Sequence, residues 1–267
     1  MMMTSFDNLL QSGWIVLIWV PVLFVIIFVR YLIFSKVYVW GMDRLRSSLN
    51  WGYRVLSDRS QEWQQVRMEI ISSAMTSVIF AALGAALLWL WHQGRTRLYH
   101  DWDAYPYYWL LLGPLLFLFA QETYYYWLHR WMHRPKVYKL VHQRHHESIE
   151  TSAWTAFSFH PLESVLQALF ILVAVLIIPL QEYLFLGLLT FMTLSATINH
   201  AGLEIFPTWF LQKRPFRWFI GATHHDLHHR RFLCNYGLYF TFWDDWMGTE
   251  SEEYTQRVDQ ISKGRGE

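Results

Sequence analysis

The sequence predicts an all-α integral-membrane protein: about three transmembrane helices plus a helical hairpin, carrying a cytoplasmic helical head with a histidine-rich dimetal centre. Three observations predict it. Apolar residues concentrate in long runs at 14–34, 70–91, 106–128 and 165–198, and a helical span needs roughly 20 mainly apolar residues. Basic residues gather in the segment after the first run. Eleven of the thirteen histidines follow residue 128, and eight of them fall in three short boxes.

The first run reads as a retained helix. It lacks the short apolar core and small-residue cleavage site of a secretory signal, and Trp14, Trp19 and Pro21 argue against one. The loop over 35–69 carries Lys36, Arg44, Arg46, Arg54, Arg59 and Arg67, whereas the segment before Trp14 has no Lys or Arg. The positive-inside rule then places the N-terminus outside and this loop in the cytoplasm. The second and third runs each cross once and bring the chain back to the cytoplasm near His129. Trp89, Trp91, Tyr99, Trp102, Tyr105, Tyr107, Tyr108 and Trp109 crowd the opposite end as an interfacial belt. The fourth run reads as a hairpin with arms Val165–Ile178 and Tyr183–Ile198 around Pro179-Leu180-Gln181-Glu182. Both arms are short for full crossings. A hairpin that enters and leaves on one side keeps every histidine box on the cytoplasmic face. This divides the chain into membrane helices with a basic loop (1–105), a chemical head (106–250) and a polar tail (251–267) expected to fray after Tyr254. A net charge of +1 gives no reason to expect nucleic acid as a partner. The single cysteine, Cys234, excludes an internal disulfide and fits a reducing compartment. Nothing in the sequence sets an oligomeric state.

The boxes are His129-x-x-x-His133, His142-x-x-His145-His146 and His225-x-x-His228-His229. Positions i, i+3 and i+4 share one helical face, so three such faces turned toward one another form a cage of imidazoles. His200, directly after the hairpin, is counted with them; His160, before Pro161, and His224, one turn from His228, are candidates for further ligands or for groups supporting ligands. Nine to eleven imidazoles exceed the four of one zinc ion and imply two metals. Imidazole suits zinc, copper, iron and nickel alike. A redox pair of irons has an evident use here, binding dioxygen and attacking an unactivated C–H bond. Glu122, Glu147, Glu163, Glu204 and Asp226 stand near the boxes and suit orientation of the imidazoles. Glu122 and Glu204 are the candidate catalytic carboxylates. Glu122 lies on the third span seven residues before His129, where an ionisable group is costly and functional by default, and can hold a ligand histidine's N–H or relay protons. Trp154, Phe157 and Phe159 can line a substrate pocket beside the second box.

The boxes, together with Phe159-His160-Pro161-Leu162-Glu163, His200-Ala201-Gly202-x-Glu204 and Gly221-Ala222-Thr223-His224-His225-Asp226-Leu227-His228-His229, carry a resemblance. The last stretch runs on into Asn235-Tyr236-Gly237 and Trp243-Asp244-Asp245-Trp246-Met247-Gly248-Thr249. Over roughly residues 106–250 the chain resembles the fatty acid hydroxylase/sterol desaturase superfamily of integral-membrane non-haem di-iron enzymes. It looks nearest to the sterol-modifying branch and its bacterial relatives. The fatty acid 2-hydroxylase branch has a second H-x-x-x-H after the hairpin; this chain has His200-x-x-x-Glu204. The resemblance implies two iron ions with dioxygen as co-substrate, and hydroxylation or desaturation of a membrane lipid. The sequence shows no fused haem-binding domain, so a separate electron donor of the haem, ferredoxin or flavin reductase type is expected. Two rivals from other classes remain: a non-catalytic membrane metal-binding or metal-transport protein, whose ligands belong near the bilayer midplane, and a bis-histidine haem protein, which needs histidines inside the spans.

Overall fold

In the computed structural model, residues 14–49, 63–213 and 216–263 are described. The segment before Trp14, Arg54 and Arg59 of the expected basic loop, and residues 264–267 of the tail lie outside them. Two long helices, α1 (Ile15–Leu49) and α2 (Trp63–His92), pack along one another. By length and composition both can cross a membrane, α1 over Ile15–Arg44. Each extends past its apolar run, so much of the expected loop at 35–69 is helical. α1 is anchored on the head near the end of its apolar run: the Tyr31 hydroxyl donates to the Trp154 carbonyl (2.8 Å) and the Ser35 hydroxyl to the Ala153 carbonyl (3.0 Å). On its other face α1 exposes Leu17, Val22, Val25, Val29, Ile33 and Val37. Such a stripe suits lipid and is costly in water.

α2 buries a small polar stripe, Ser72, Ser73, Thr76 and Ser77, followed by Ala81 and Ala85. Its buried Glu69 accepts from the hydroxyls of Ser148 (2.6 Å) and Thr155 (2.9 Å), so the loop after the second histidine box is moored to a membrane helix. A 3₁₀ turn at Ala153–Phe157, capped by Ser152, is held in that loop.

α3 (Trp109–Met132) is long enough to span, about 36 Å at 1.5 Å per residue, but Gln121, Glu122 and Thr123 interrupt its apolar run. Short helices α4 (Pro135–Val141) and α5 (Gln143–His146) follow. The hairpin is α6 (Pro161–Ile177) and α7 (Glu182–Asn199). Its turn holds a strand that the sequence did not announce: Leu180–Gln181 pairs in parallel with Leu98–Tyr99. α3 meets this turn without a side chain between them, since a Cβ on Gly113 would stand 2.6 Å from the Pro179 carbonyl oxygen.

Helices α8 (Thr208–Gln212), α9 (Ala222–Arg231), α10 (Phe242–Met247) and α11 (Glu252–Lys263) complete the head. The expectation of a frayed tail is corrected by α11. Tyr254, Val258 and Ile261 recur on one face of it, all are buried, and the first two close a small core with Leu211 and Leu227. Tyr254→Ala is expected to cost about 3 kcal/mol, the order of a large-to-small aromatic change, read as a lowered melting temperature of the purified protein.

Candidate metal centre

The structure brings nine of the eleven candidate histidines together, in two clusters. His129, His133, His142, His146 and His228 form one, and His145, His200, His225 and His229 the other; within each, the candidate ligand nitrogens all lie within 4.8 Å of one another. The clusters are adjacent, with the rings of His146 and His229 only 4.5 Å apart between centroids. All nine side chains are buried.

Local structure explains the convergence. In α9 the i, i+3, i+4 spacing sends His225, His228 and His229 inward. Glu204 holds the start of that helix: its carboxylate accepts from the Thr223 N–H (2.9 Å) and the Phe206 N–H (3.0 Å). Gly221 leaves room for this approach: a Cβ there would lie 2.7 Å from Glu204 Oε2 and 2.9 Å from Phe206 Cδ2, so both side chains would have to shift. The last turn of α3 supplies His129 and, at its C-cap, His133. Pro135 starts a new helix, so α4 and α5 fold back and present His142, His145 and His146.

Hydrogen-bond bookkeeping at the outer nitrogens fixes which way the lone pairs point. His129 Nδ1 lies 2.9 Å from the Tyr236 carbonyl oxygen, and His228 Nδ1 lies 2.7 Å from that of Cys234. His145 Nδ1 lies 3.2 Å from the Ser158 carbonyl oxygen, and His200 Nδ1 lies 2.7 Å from that of Ala196. A carbonyl oxygen only accepts, so each of these Nδ1 atoms carries the hydrogen and each neutral ring turns a bare Nε2 inward. His145 and His200 therefore face each other lone pair to lone pair at 3.2 Å. His142 Nδ1 sits 2.9 Å from Glu163 Oε1, at ion-pair distance although outside hydrogen-bond geometry. Its Nε2 lies 3.0 Å from His129 Nε2.

Such pairs repel unless a proton or a cation stands between them. Protonation is disfavoured: burial, reinforced in most of the rings by neighbouring imidazoles, holds all nine below the ordinary histidine value, His200 and His228 at about 4. A metal cation satisfies them. Two nitrogens about 2.1 Å from one ion stand about 3.0 Å apart at right angles and about 3.4 Å apart at the tetrahedral angle. The nearest Nε2 pairs in both clusters stand 2.9 to 3.2 Å apart, within reach of one shared ion. Five nitrogens also exceed a closed tetrahedral zinc site. The donor set fits metal in both clusters.

The same shifts carry a pH dependence. Unfolded histidines take up protons near pH 6.5, whereas the folded rings stay neutral until lower pH. Between about 6.5 and 4 the nine imidazoles bind more protons in the unfolded metal-free protein. They outnumber the buried carboxylates, such as Asp244 and Glu163, whose raised pKa acts the other way, so stability falls as pH drops through that window. Chelator-treated protein is expected to melt at a lower temperature at pH 5.5 than at pH 7.5; an equal or higher melting temperature contradicts this.

Four of the sequence candidates stand outside the two clusters. His160 caps α6, its Nδ1 accepting from the Leu162 N–H (3.3 Å), and joins neither cluster. His224 is buried at the edge of the ligand face of α9, its ring 5.2 Å from that of Tyr254 and its Nε2 3.8 Å from Asp244 Oδ2. Glu122 holds no histidine. Its carboxylate accepts from the backbone N–H groups of Leu238 (3.0 Å), Tyr239 (2.7 Å) and Phe240 (3.2 Å). Glu204 likewise serves backbone and supplies no oxygen to either cluster. What sequence reasoning missed is the segment 234–240, whose carbonyls orient His129 and His228. Glu122, Asp244 and Asn199 clamp it: Asp244 accepts from the Tyr236 and Gly237 N–H groups (2.8 Å each), and the Asn199 amide donates to the Leu238 carbonyl (2.9 Å).

A cavity of about 290 Å³ runs from the membrane helices to the second cluster. Its walls are mainly apolar, with Leu87, Phe170 and Leu189 toward the hairpin turn and His200 and His225 at the head. Phe157 and Phe159 line it; Trp154 instead packs edge-on against Tyr31.

Comparison with known proteins agrees with this geometry. The family model described as fatty acid hydroxylase matches residues 114–249. The Delta(7)-sterol 5(6)-desaturases ERG3B and ERG3A of Gibberella zeae are 32% and 35% identical to the chain, over 69% and 75% of it and 56% of each relative. Lathosterol oxidase of Homo sapiens is 34% identical over 67% of the chain and 59% of its own length. The chain thus spans a little over half the length of these relatives. No solved structure matches it significantly. Histidine boxes, clustered imidazoles and these matches together assign the chain to the fatty acid hydroxylase/sterol desaturase superfamily.

Proposed function

We propose that the chain is a membrane-embedded non-haem di-iron oxygenase that uses dioxygen, and electrons from a separate donor, to hydroxylate or desaturate a C–H bond of a sterol, fatty acyl or related lipid. The observation that carries it is the junction of two imidazole clusters with an apolar cavity that begins among the membrane helices. In this reading α1, α2 and α3 cross the bilayer, the hairpin dips into it, and the head faces the cytoplasm. His129, His133, His142, His146 and His228 hold one ion and His145, His200, His225 and His229 the other. Two irons so held supply the activation of dioxygen.

The chain's own groups do the rest. Carbonyls of Tyr236, Cys234, Ser158 and Ala196 fix the imidazole tautomers and raise ligand basicity. Glu163 stands 2.9 Å from His142 Nδ1 as a neighbouring charge rather than a hydrogen-bond partner, and Gln167 donates to Glu163 (3.1 Å), so a chain of polar contacts leads from the cavity wall to a ligand. The apolar wall excludes water from the reacting carbon.

The test is lipid mass spectrometry of cells expressing the wild-type chain or His145→Ala under ¹⁸O₂. The reading expects a lipid that gains labelled oxygen or loses two hydrogens in the wild type alone. Identical lipid profiles refute it.

A further inference from the structure

The cavity carries a charge that its protein walls leave unanswered. Arg30 lies on α1 within the apolar stretch and lines the cavity with Leu23, Ile26 and Ile27, positions that share one helical face. Its Nε is buried and without a hydrogen-bond partner. Among the described residues no carboxylate lines the cavity, and Arg30 is its one permanently charged side chain. Nor can α1 simply turn to carry Arg30 elsewhere. The next residue, Tyr31, is fully buried, stacks on Phe157 with centroids 5.4 Å apart and bonds to the Trp154 carbonyl, while Ser35 bonds to that of Ala153.

A guanidinium in this setting is costly unless paired, and its planar fork matches a carboxylate or phosphate with two parallel hydrogen bonds. A neutral sterol leaves the charge unpaired; an anionic amphiphile answers it.

We propose that the cavity selects a lipid bearing an anionic oxygen group, a carboxylate or a phosphate, seated on Arg30 with its apolar body along the hairpin wall. This rests on the reading of the cavity as the substrate site.

Equilibrium binding to the metal-loaded full chain in a neutral detergent tests it with four radiolabelled probes: oleate, lysophosphatidate with an oleoyl chain, oleyl alcohol and cholesterol. A charge-assisted pair corresponds to about 10- to 100-fold in affinity. At least one anionic probe is expected to bind more tightly than oleyl alcohol by that factor, and which of the two does so identifies the carboxylate or the phosphate as the group recognised. Arg30→Gln is expected to abolish the preference without weakening oleyl alcohol binding, and Arg30→Lys to keep part of it. Equal binding of anionic and neutral probes by the wild type overturns the proposal on its own, even if the variants fail to fold. So does a preference that survives in Arg30→Gln. Oxidation of a neutral sterol without anionic selectivity sinks this inference and leaves the proposed function standing; selective oleate binding with no lipid oxidised in cells does the reverse.

Discussion

His145→Ala is expected to strip the metal from the second cluster and abolish lipid oxidation, while His160→Ala and His224→Ala keep full metal content. His145 is one of only four imidazoles in its cluster, and its Nε2 faces that of His200. Removing it leaves three nitrogens and a cavity where a ligand stood. The loss of turnover should exceed the 10- to 100-fold typical of groups that only support a ligand, so at least about 100-fold is expected. The contrast with His160 and His224 gives the test its force, because the sequence offers all eleven as candidates. Metal analysis of the three purified variants decides it. Full metal content in His145→Ala, or metal loss in His160→Ala, contradicts the cluster assignment.

Glu122→Gln is expected to destabilise the head and lower its metal content together. The carboxylate accepts three backbone N–H groups on the segment that carries the Tyr236 carbonyl to His129. A glutamine keeps one acceptor oxygen and turns an NH₂ toward N–H groups, leaving buried donors unsatisfied at about 1–3 kcal/mol each. The segment then holds His129 less firmly. A lowered melting temperature with reduced metal content is the expected pair of results. A variant that melts and loads like wild type but turns over slowly restores the proton-relay role that the sequence suggested for Glu122.

The sequence exposed most of the site's first layer because ligand histidines obey helical spacing. His225, His228 and His229 could be placed on one face before any coordinates, and so could His142, His145 and His146. What it could not show is which candidates turn outward. His224 is one turn from His228 and satisfies the same periodicity, yet its ring packs against Tyr254 of α11. The groups orienting the ligands were hidden for a different reason: they are backbone carbonyls of Ser158, Ala196, Cys234 and Tyr236, and a carbonyl has no residue type. The membrane helices were visible as apolar runs, but their ends were not. Tyr31 and Ser35 hold α1 on the head through long-range bonds, and composition records no such contact. The tail failed for a similar reason, since Tyr254, Val258 and Ile261 are too few to stand out until the core formed by Leu211 and Leu227 is known.

The central claim is that the two imidazole clusters hold two irons close enough to act together. Mössbauer spectroscopy of the purified full chain, expressed with ⁵⁷Fe and quantified per polypeptide, tests it most directly. The account predicts two irons per chain, with the reduced protein's iron pair converting to an exchange-coupled ferric pair on exposure to dioxygen. A chain that contains a single, magnetically isolated iron, or that loads only zinc, contradicts it.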